Sequence, residues 1–269
     1  RVAGYASRMV QAASEFITLL NEQSTPPTID IEAVMTDITL EVILRTLFSH
    51  HQVRNTQSIA QAIQTLSRYG FSRFFRLFSW PMWMPLPEVQ RARHALGLLS
   101  ALIQEHIHNQ PQQPDAEAND LLSMLRLVRD PDDPSSGLSA QELHDQTMVI
   151  FQAGHETTAT ALTWWCGLIA RHPDVARHLQ QGVDAVLQGQ PPTPELLTRM
   201  PWLQASLKEA LRLYPPAAIL LSRRACQAIT VGSWTIPCGD LIAFTPYVIH
   251  RDARWFESPH TFRPERFLP

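Results

Sequence analysis

The sequence predicts a mainly α-helical protein with a small β portion near its C-terminal end. Apolar residues recur at helical spacing through the first two thirds of the chain, between polar, proline-containing breaks. After the proline pair at 215–216, short runs of β-branched and aromatic residues replace that pattern. With 45% hydrophobic residues, the 269-residue chain can bury one large core or two small ones.

Four predicted helices fill the first part of the chain. Helical spacing predicts the first over residues 1–21, before a proline-containing break at 24–28. Asp30 is expected to cap a second helix that ends near Leu47, and a third covers about residues 56–69. Residues 71–87, rich in Phe, Trp and Pro, are predicted to form an apolar loop. A helix to about His108 and a polar surface linker over residues 110–119 follow.

The longest predicted helix runs from Ser139 to His172, just before Pro173. Ser139 and Glu142 have the spacing of a capping box, which marks its start. At 1.5 Å per residue it would be roughly 50 Å long. Its central residues, 151–165, are apolar around most of the circumference, so we expect them to be buried on most sides.

The β portion is predicted from three short runs. Residues 229–231 and 234–236 flank Gly232 and Ser233, which is the pattern of a two-residue hairpin. Residues 241–244 form another predicted strand.

Composition excludes some classes of protein. A net charge of −3 with 17% charged residues argues against a nucleic-acid partner. The three cysteines (Cys166, Cys226 and Cys238) are too few and too scattered for a zinc site or a disulfide framework, and reduced thiols are favoured. A Cys226–Cys238 bridge stays an alternative in an oxidising compartment.

No apolar run reaches the ~18–20 residues of a membrane span. We therefore expect a cytoplasmic protein, with an anchor before residue 1 as the open alternative.

Residues 153–158, Ala-Gly-His-Glu-Thr-Thr, lie in the middle of the long helix. A helical glycine costs about 1 kcal/mol relative to alanine, and threonine hydroxyls can bond back to the helix carbonyls. This combination suggests a local opening of the helix, where Glu156 and Thr157 could relay protons. A packing glycine and a solvated glutamate are the alternative. A zinc-protease motif is excluded because Ala159 stands where its second histidine is required.

Glu209 and Arg212 are three residues apart and share one helix face. If they are buried, the guanidinium needs a further partner; if they are exposed, the pair is a common surface feature. Residues 264–267, Pro-Glu-Arg-Phe, stand close to the C-terminal end.

Taken in this order, the three motifs resemble those of the cytochrome P450 superfamily. Residues 153–158 are similar to its oxygen-binding motif, Glu209 and Arg212 to its Glu-x-x-Arg pair, and residues 264–267 to its Pro-Glu-Arg-Phe segment. The resemblance implies a P450 fold truncated at both ends. Residues 1–269 would then be one partial domain, with a helical part at 1–214 and a β-containing part at 215–269.

The resemblance also implies roles for individual residues. Thr157 would donate to dioxygen and Glu156 would supply the protons. Ala153 and Gly154 would let haem approach the helix, with Thr158 beside them. Arg223 would pair with a haem propionate, with Arg224 as the alternative, and Arg266 would complete a buried triad with Glu209 and Arg212. Residues 217–220 would line the substrate side, although an apolar core explains them as simply.

One feature of the family is missing from the sequence. The family's iron ligand is the cysteine of Phe-x-x-Gly-x-x-x-Cys-x-Gly. Ala159, Ile219 and Val231, rather than phenylalanine, stand seven residues before the three cysteines. The 269 residues are therefore expected to be inactive by themselves.

The implied activity is that of a monooxygenase. It would use heme b to insert one oxygen atom of O2 into a small lipophilic substrate, with electrons from a ferredoxin, a flavoprotein reductase or a fused reductase. One alternative is a peroxygenase or hydroperoxide-rearranging enzyme, which the Glu156–Thr157 pair disfavours. The other is a helical binding or scaffold protein without haem.

Overall fold

The computed structural model describes residues 2–22, 28–48, 56–74, 76, 80–109, 120–129 and 136–269. The α-helices within these ranges are α1 (Ala6–Glu22), α2 (Ile31–Phe48), α3 (Thr56–Phe74), α4 (Pro87–Asn109), α5 (Leu121–Arg126), α6 (Ala140–Arg171), α7 (Pro173–Leu187), α8 (Pro194–Thr198), α9 (Pro201–Leu213) and α10 (Pro246–Ile249). Short 3₁₀ helices cover Val2–Tyr5 and Pro264–Phe267. The strands are β1 (Leu220–Arg224), β2 (Ile229–Val231), β3 (Trp234–Ile236) and β4 (Leu241–Phe244). The predicted fold class, mainly α with a small β portion, is confirmed.

Two predicted helix starts are confirmed by their capping hydrogen bonds. Asp30 Oδ1 accepts from the backbone N–H groups of Glu32 and Ala33, at 3.0 and 3.2 Å, ahead of α2. The capping box before α6 is complete: the Ser139 hydroxyl accepts from the Glu142 N–H at 3.2 Å. The Glu142 carboxylate in turn accepts from the Ser139 N–H at 2.9 Å. The long helix therefore begins where the sequence predicts.

The hairpin is also confirmed. Strands β2 and β3 pair antiparallel, and Val231 opposes Trp234 across the turn. Gly232 has a φ of 61° at the first central position of that turn, a conformation that glycine adopts without steric strain. Strand β1, which the sequence did not predict, pairs antiparallel with β4. Its Leu-Leu-Ser-Arg-Arg sequence lacks the alternating pattern by which strands are identified.

Other boundaries differ from the prediction. Helix α3 continues to Phe74, so the first part of the predicted 71–87 loop is helical. Helices α7 and α8 were not predicted, although each begins with a proline, Pro173 or Pro194. Both occupy the first helical position, where a missing N–H leaves no hydrogen bond unmade. The predicted linker at 110–119 lies outside the described residues, as does most of the break at 24–28.

The chain divides into two compact units, Arg1–Ala159 and Thr160–Pro269, and the boundary falls within α6. The core of the first unit is built from leucine, isoleucine and phenylalanine side chains of α2 to α6, among them Leu44, Ile63, Leu99, Leu122 and Phe151. The core of the second unit includes Leu168, Ala210, Leu213 and Phe262. Among the described residues, no helix combines the length and the apolar character that a bilayer crossing requires.

Candidate functional site

One stripe of α6 in the first unit is exposed to solvent. Val149, Ala153, Glu156 and Thr157 recur at helical spacing along this stripe, and all four are exposed. The opposite face, with Phe151 and His155, is buried. The expected burial on most sides is therefore wrong for this part of α6. Apart from Val149, the stripe carries alanine, threonine and glutamate, which leave little apolar surface in water.

The helix runs without interruption through the glycine and the threonine pair. The hydroxyl of Thr157 donates to the Ala153 carbonyl at 2.6 Å, and that of Thr158 donates to the Gly154 carbonyl at 3.0 Å. The predicted back-bonding to the i−4 carbonyls is thus present, but the predicted opening of the helix is not. Each hydroxyl adds a second donor to a helix carbonyl, and the backbone hydrogen bonds of the helix are retained.

Gly154 faces α2. A Cβ built on Gly154 would lie 3.0 Å from Cδ1 of Ile43, which is tighter than ordinary packing distances. The glycine therefore lets α2 and α6 approach closely. This is the packing role that the sequence left as an alternative, whereas the neighbouring Ala153 points its methyl to the exposed stripe.

His155 joins α6 to α2 from the buried side of the motif. Its side chain is only 3% exposed, and Nε2 donates to the Thr36 carbonyl at 3.0 Å. Nδ1 is buried and has no hydrogen-bond partner among the described residues. Burial lowers the pKa of His155 below its usual 6.5, so the ring is neutral. Asp37 lies close enough to interact with it electrostatically, and partial desolvation raises the pKa of that carboxyl.

The carboxylate of Glu156 reaches α3. Its Oε2 accepts a hydrogen bond from the hydroxyl of Ser67. Sequence analysis missed Ser67, because a serine in a polar helix face gives no signal by itself. The contact joins residues 89 positions apart, which only the fold brings together.

In the second unit, the structure brings Glu209, Arg212 and Arg266 together. Glu209 and Arg212 are 0% and 2% exposed, so this is not a surface pair. Arg212 Nε and Nη2 donate to the two carboxylate oxygens at 2.7 and 2.8 Å, a bidentate geometry. Arg266 Nε donates to Oε1 at 3.1 Å, and the backbone N–H of Arg263 donates to the same oxygen at 2.9 Å.

The remaining donors of Arg212 hold the segment that follows α10. Nη1 donates to the carbonyls of His250 and Pro259 at 2.6 and 2.7 Å, and Nη2 donates to that of Thr261 at 3.3 Å. These partners are backbone carbonyls, which carry no signature in the sequence. The buried cluster, defined here as Glu209, Arg212 and Arg266, thus connects α9 to the Pro264–Phe267 helix.

Both candidate propionate arginines are exposed and lie on β1. Arg224 Nη1 donates to the Gly239 carbonyl at 2.9 Å, so this guanidinium has a structural bond. The assignment of Arg223, with Arg224 as the alternative, stays a prediction. Residues 217–220 are exposed, so the simpler interpretation that they belong to the apolar core is wrong.

The cysteines do not offer an iron ligand. Burial raises the pKa of the Cys166 thiol, which favours the protonated form over the thiolate that binds metal. Cys226 and Cys238 are exposed free thiols, and Cys238 Sγ donates to the Cys226 carbonyl at 3.3 Å instead of bridging. Within the described parts of the chain, no group of three or more His, Cys, Asp or Glu side chains could hold a metal ion.

The Glu156–Thr157 pair of α6 and the buried Glu-Arg-Arg cluster of α9 are features of the class of haem proteins that the three sequence motifs resemble. A family model for cytochrome P450 matches residues 2–269, so the chain belongs to the cytochrome P450 family. The predicted membership is confirmed, and it implies a haem cofactor.

Curated and structural relatives agree with this assignment. The chain is 32% identical to cyclooctatin synthase of Streptomyces melanosporofaciens over all of its own length and 58% of the relative's. It is also 32% identical to pentalenene oxygenase of Streptomyces avermitilis, over 86% of this chain and 50% of that protein. The retinoic acid-bound structure of cyanobacterial CYP120A1 superposes with a TM-score of 0.82 at 28% identity, covering 99% of this chain and 58% of that one. The chain therefore spans between half and three fifths of the length of these relatives.

Proposed function

We propose that the enzyme containing this chain is a haem-dependent monooxygenase that inserts one oxygen atom of O2 into a lipophilic substrate. The observation that carries the proposal is the exposed stripe of α6, where a carboxylate and a hydroxyl stand side by side on Glu156 and Thr157. Both side chains can exchange protons, and neither is buried in the core of its unit.

The residues of this stripe fit the oxygen side of a haem. Ala153 and Thr157 are small, so Glu156 is the one long side chain of this stripe. Heme b, when bound and ligated by a thiolate, supplies the dioxygen-activating chemistry. The three cysteines do not fit the thiolate role, so we propose that this ligand lies outside residues 1–269. We also propose that these residues are inactive by themselves.

The chain's own part in the reaction is to hold and move protons. Thr157 Oγ1 donates to the Ala153 carbonyl, and rotation about its χ1 would turn this donor toward an acceptor above the stripe. Glu156 lies next to it, with Oε2 held by Ser67 and with no partner for Oε1 among the described residues. Glu156 is therefore the proton source in this proposal, and Thr157 is the donor that passes the proton on.

The remaining assignments rest on family membership. Arg223 would hold a haem propionate, and the buried cluster would stabilise the fold around the cofactor. Electrons would come from a ferredoxin, a flavoprotein reductase or a fused reductase. Two relatives are named for oxygenation of pentalenene and of cyclooctat-9-en-7-ol, which supports a lipophilic substrate. The exposed Phe71, Trp80 and Trp83 add an apolar surface near the end of α3. A cytoplasmic location also stays a prediction.

Isotopically labelled dioxygen tests the proposal in the full-length, haem-loaded enzyme supplied with electrons and a lipophilic substrate. We expect one labelled atom in the product and the other in water. A parallel reaction uses labelled hydrogen peroxide in place of dioxygen. Product labelled from hydrogen peroxide but not from dioxygen would indicate the peroxygenase alternative. A full-length protein that takes up no haem would indicate the scaffold alternative. Either result contradicts the proposal.

A further inference from the structure

We propose that Ser67 of α3 is a positioning residue for Glu156. Its hydroxyl holds one carboxylate oxygen, Oε2, and leaves Oε1 without a partner among the described residues. The inference rests on the proposed function, because it concerns the proton source of the same site. It adds a residue that lies on another helix and outside all three sequence motifs.

The direction of the Ser67 hydroxyl sets it apart on α3. A helical serine or threonine hydroxyl commonly donates to a carbonyl of its own helix. Thr65 and Ser72 do so, donating to the carbonyls of Gln61 and Tyr69 at 2.7 and 2.8 Å. The Ser67 hydroxyl instead leaves the helix and donates to Glu156 Oε2.

The backbone of Glu156 is fixed independently of its carboxylate. The neighbouring His155 is buried and donates to the Thr36 carbonyl at 3.0 Å, which ties this turn of α6 to α2. Glutamate has three rotatable side-chain bonds, so a fixed backbone still leaves an exposed carboxylate free to sample many rotamers. Ser67 supplies a restraint at the carboxylate itself. Helix α2 thus fixes the backbone of Glu156, and α3 fixes its carboxylate.

A hydrogen bond to one oxygen has a particular consequence for proton delivery. With Oε2 accepting from Ser67, the carboxylate keeps a defined orientation, and Oε1 remains available as the proton-carrying atom. A positioned acid contributes about 100-fold or more to a proton-transfer step, and geometry decides how much of this is realised. Loss of the Ser67 hydroxyl should therefore impair proton delivery without removing the acid.

The experiment compares Ser67→Ala, Ser67→Thr and Ser72→Ala in the full-length, haem-loaded enzyme. The readout is the ratio of product formed to electron donor oxidised, per haem, with hydrogen peroxide counted in parallel. For Ser67→Ala we expect a ratio roughly three- to tenfold lower, a fraction of the full contribution of a positioned acid. Ser67→Thr keeps the hydroxyl and should restore most of the ratio. Ser72→Ala removes a hydroxyl that serves only its own helix and should match the wild type.

A double-mutant cycle with Glu156→Gln separates positioning through Glu156 from a general effect on α3. If Ser67 acts through Glu156, Ser67→Ala should change the ratio little further in the Glu156→Gln background. Full additivity of the two substitutions, or a Ser67→Ala ratio equal to that of Ser72→Ala, would overturn the inference. Failure of the proposed function looks different, since then Glu156→Gln alone would leave the ratio unchanged.

Discussion

The exposed stripe of α6 and the buried cluster of α9 both carry family motifs, yet their surroundings are opposite. Glu209 is fully buried and accepts four hydrogen bonds, two from Arg212 and one each from Arg266 and the Arg263 backbone. Glu156 is exposed and accepts one from the described residues, the hydroxyl of Ser67. Proton transfer at a carboxylate held by four donors requires breaking that network, whereas a carboxylate with one oxygen free of partners can exchange a proton directly.

This difference in surroundings predicts that the buried cluster serves stability and that the exposed stripe serves the reaction. Substitutions in the buried cluster should act on folding and haem retention, because they leave a charge in the interior without its partner. Substitutions in the stripe should leave the fold intact and change the fate of electrons and protons.

The largest effect is expected for Glu209→Ala and Arg212→Ala. Each leaves an uncompensated buried charge and should lower the free energy of unfolding by about 3–5 kcal/mol. We expect the full-length enzyme to lose stable haem incorporation, measured by haem absorbance per protein and by thermal unfolding. Arg254→Ala is the matched control, because Arg254 pairs with Asp252 at the exposed surface of the same unit. Normal haem content in Glu209→Ala would mean that the cluster has no part in stability.

A smaller effect is expected for Arg266→Ala. Arg266 donates once to Glu209 and also to the carbonyls of Glu257 and Ser258, and its side chain is 12% exposed. Since Arg212 still neutralises Glu209, the loss should be about 1–3 kcal/mol, measured by chemical denaturation. A loss as large as that of Arg212→Ala would show that the two arginines share the charge equally.

The smallest effect is a pH dependence of stability from His155. Burial lowers its pKa in the folded state below the 6.5 of the unfolded chain, so the unfolded state takes up the proton first as pH falls. Stability is therefore fully present above pH 6.5 and declines below it. Asp37, whose pKa is raised from 3.8, acts in a lower pH range and with the opposite sign, because its folded form binds the proton first as pH falls.

His155→Gln keeps an N–H donor but does not titrate. Between pH 7.5 and 5.5, the melting temperature of the full-length enzyme should fall less in this variant than in the wild type. The exposed His94→Gln is the control and should behave as the wild type. Equal declines in all three proteins would remove His155 as the source.

The sequence predicted the parts of the molecule that local patterns encode. Asp30 and Ser139 are capping residues with side chains suited to that role, and both helix starts were located from them. Helix α7 was missed because Pro173 was considered only as the residue that ends the preceding helix, and proline is favoured both in breaks and at the first helical position. Strand β1 was missed because its register depends on β4, a non-local partner.

The candidate site shows the same limit. Glu156 and Thr157 were found because they belong to one contiguous motif, and Arg266 because a family segment contains it. Ser67 and the carbonyl of Thr36 were not found, since they meet the motif only after α2, α3 and α6 have packed. Backbone partners such as the Pro259 carbonyl cannot be predicted from the sequence, because every residue type has a carbonyl.

Thr157→Ala in the full-length, haem-loaded enzyme tests the division between stability and chemistry most directly. Among the residues that the structure describes, the Thr157 hydroxyl bonds only to the carbonyl of Ala153 in its own helix, so its loss should leave haem content and melting temperature close to wild type. We expect a lower ratio of product to electron donor oxidised, with the difference recovered as hydrogen peroxide. An unchanged ratio, with or without a change in stability, would contradict a role for Thr157 in proton delivery and would remove the main support for Glu156 as its proton source.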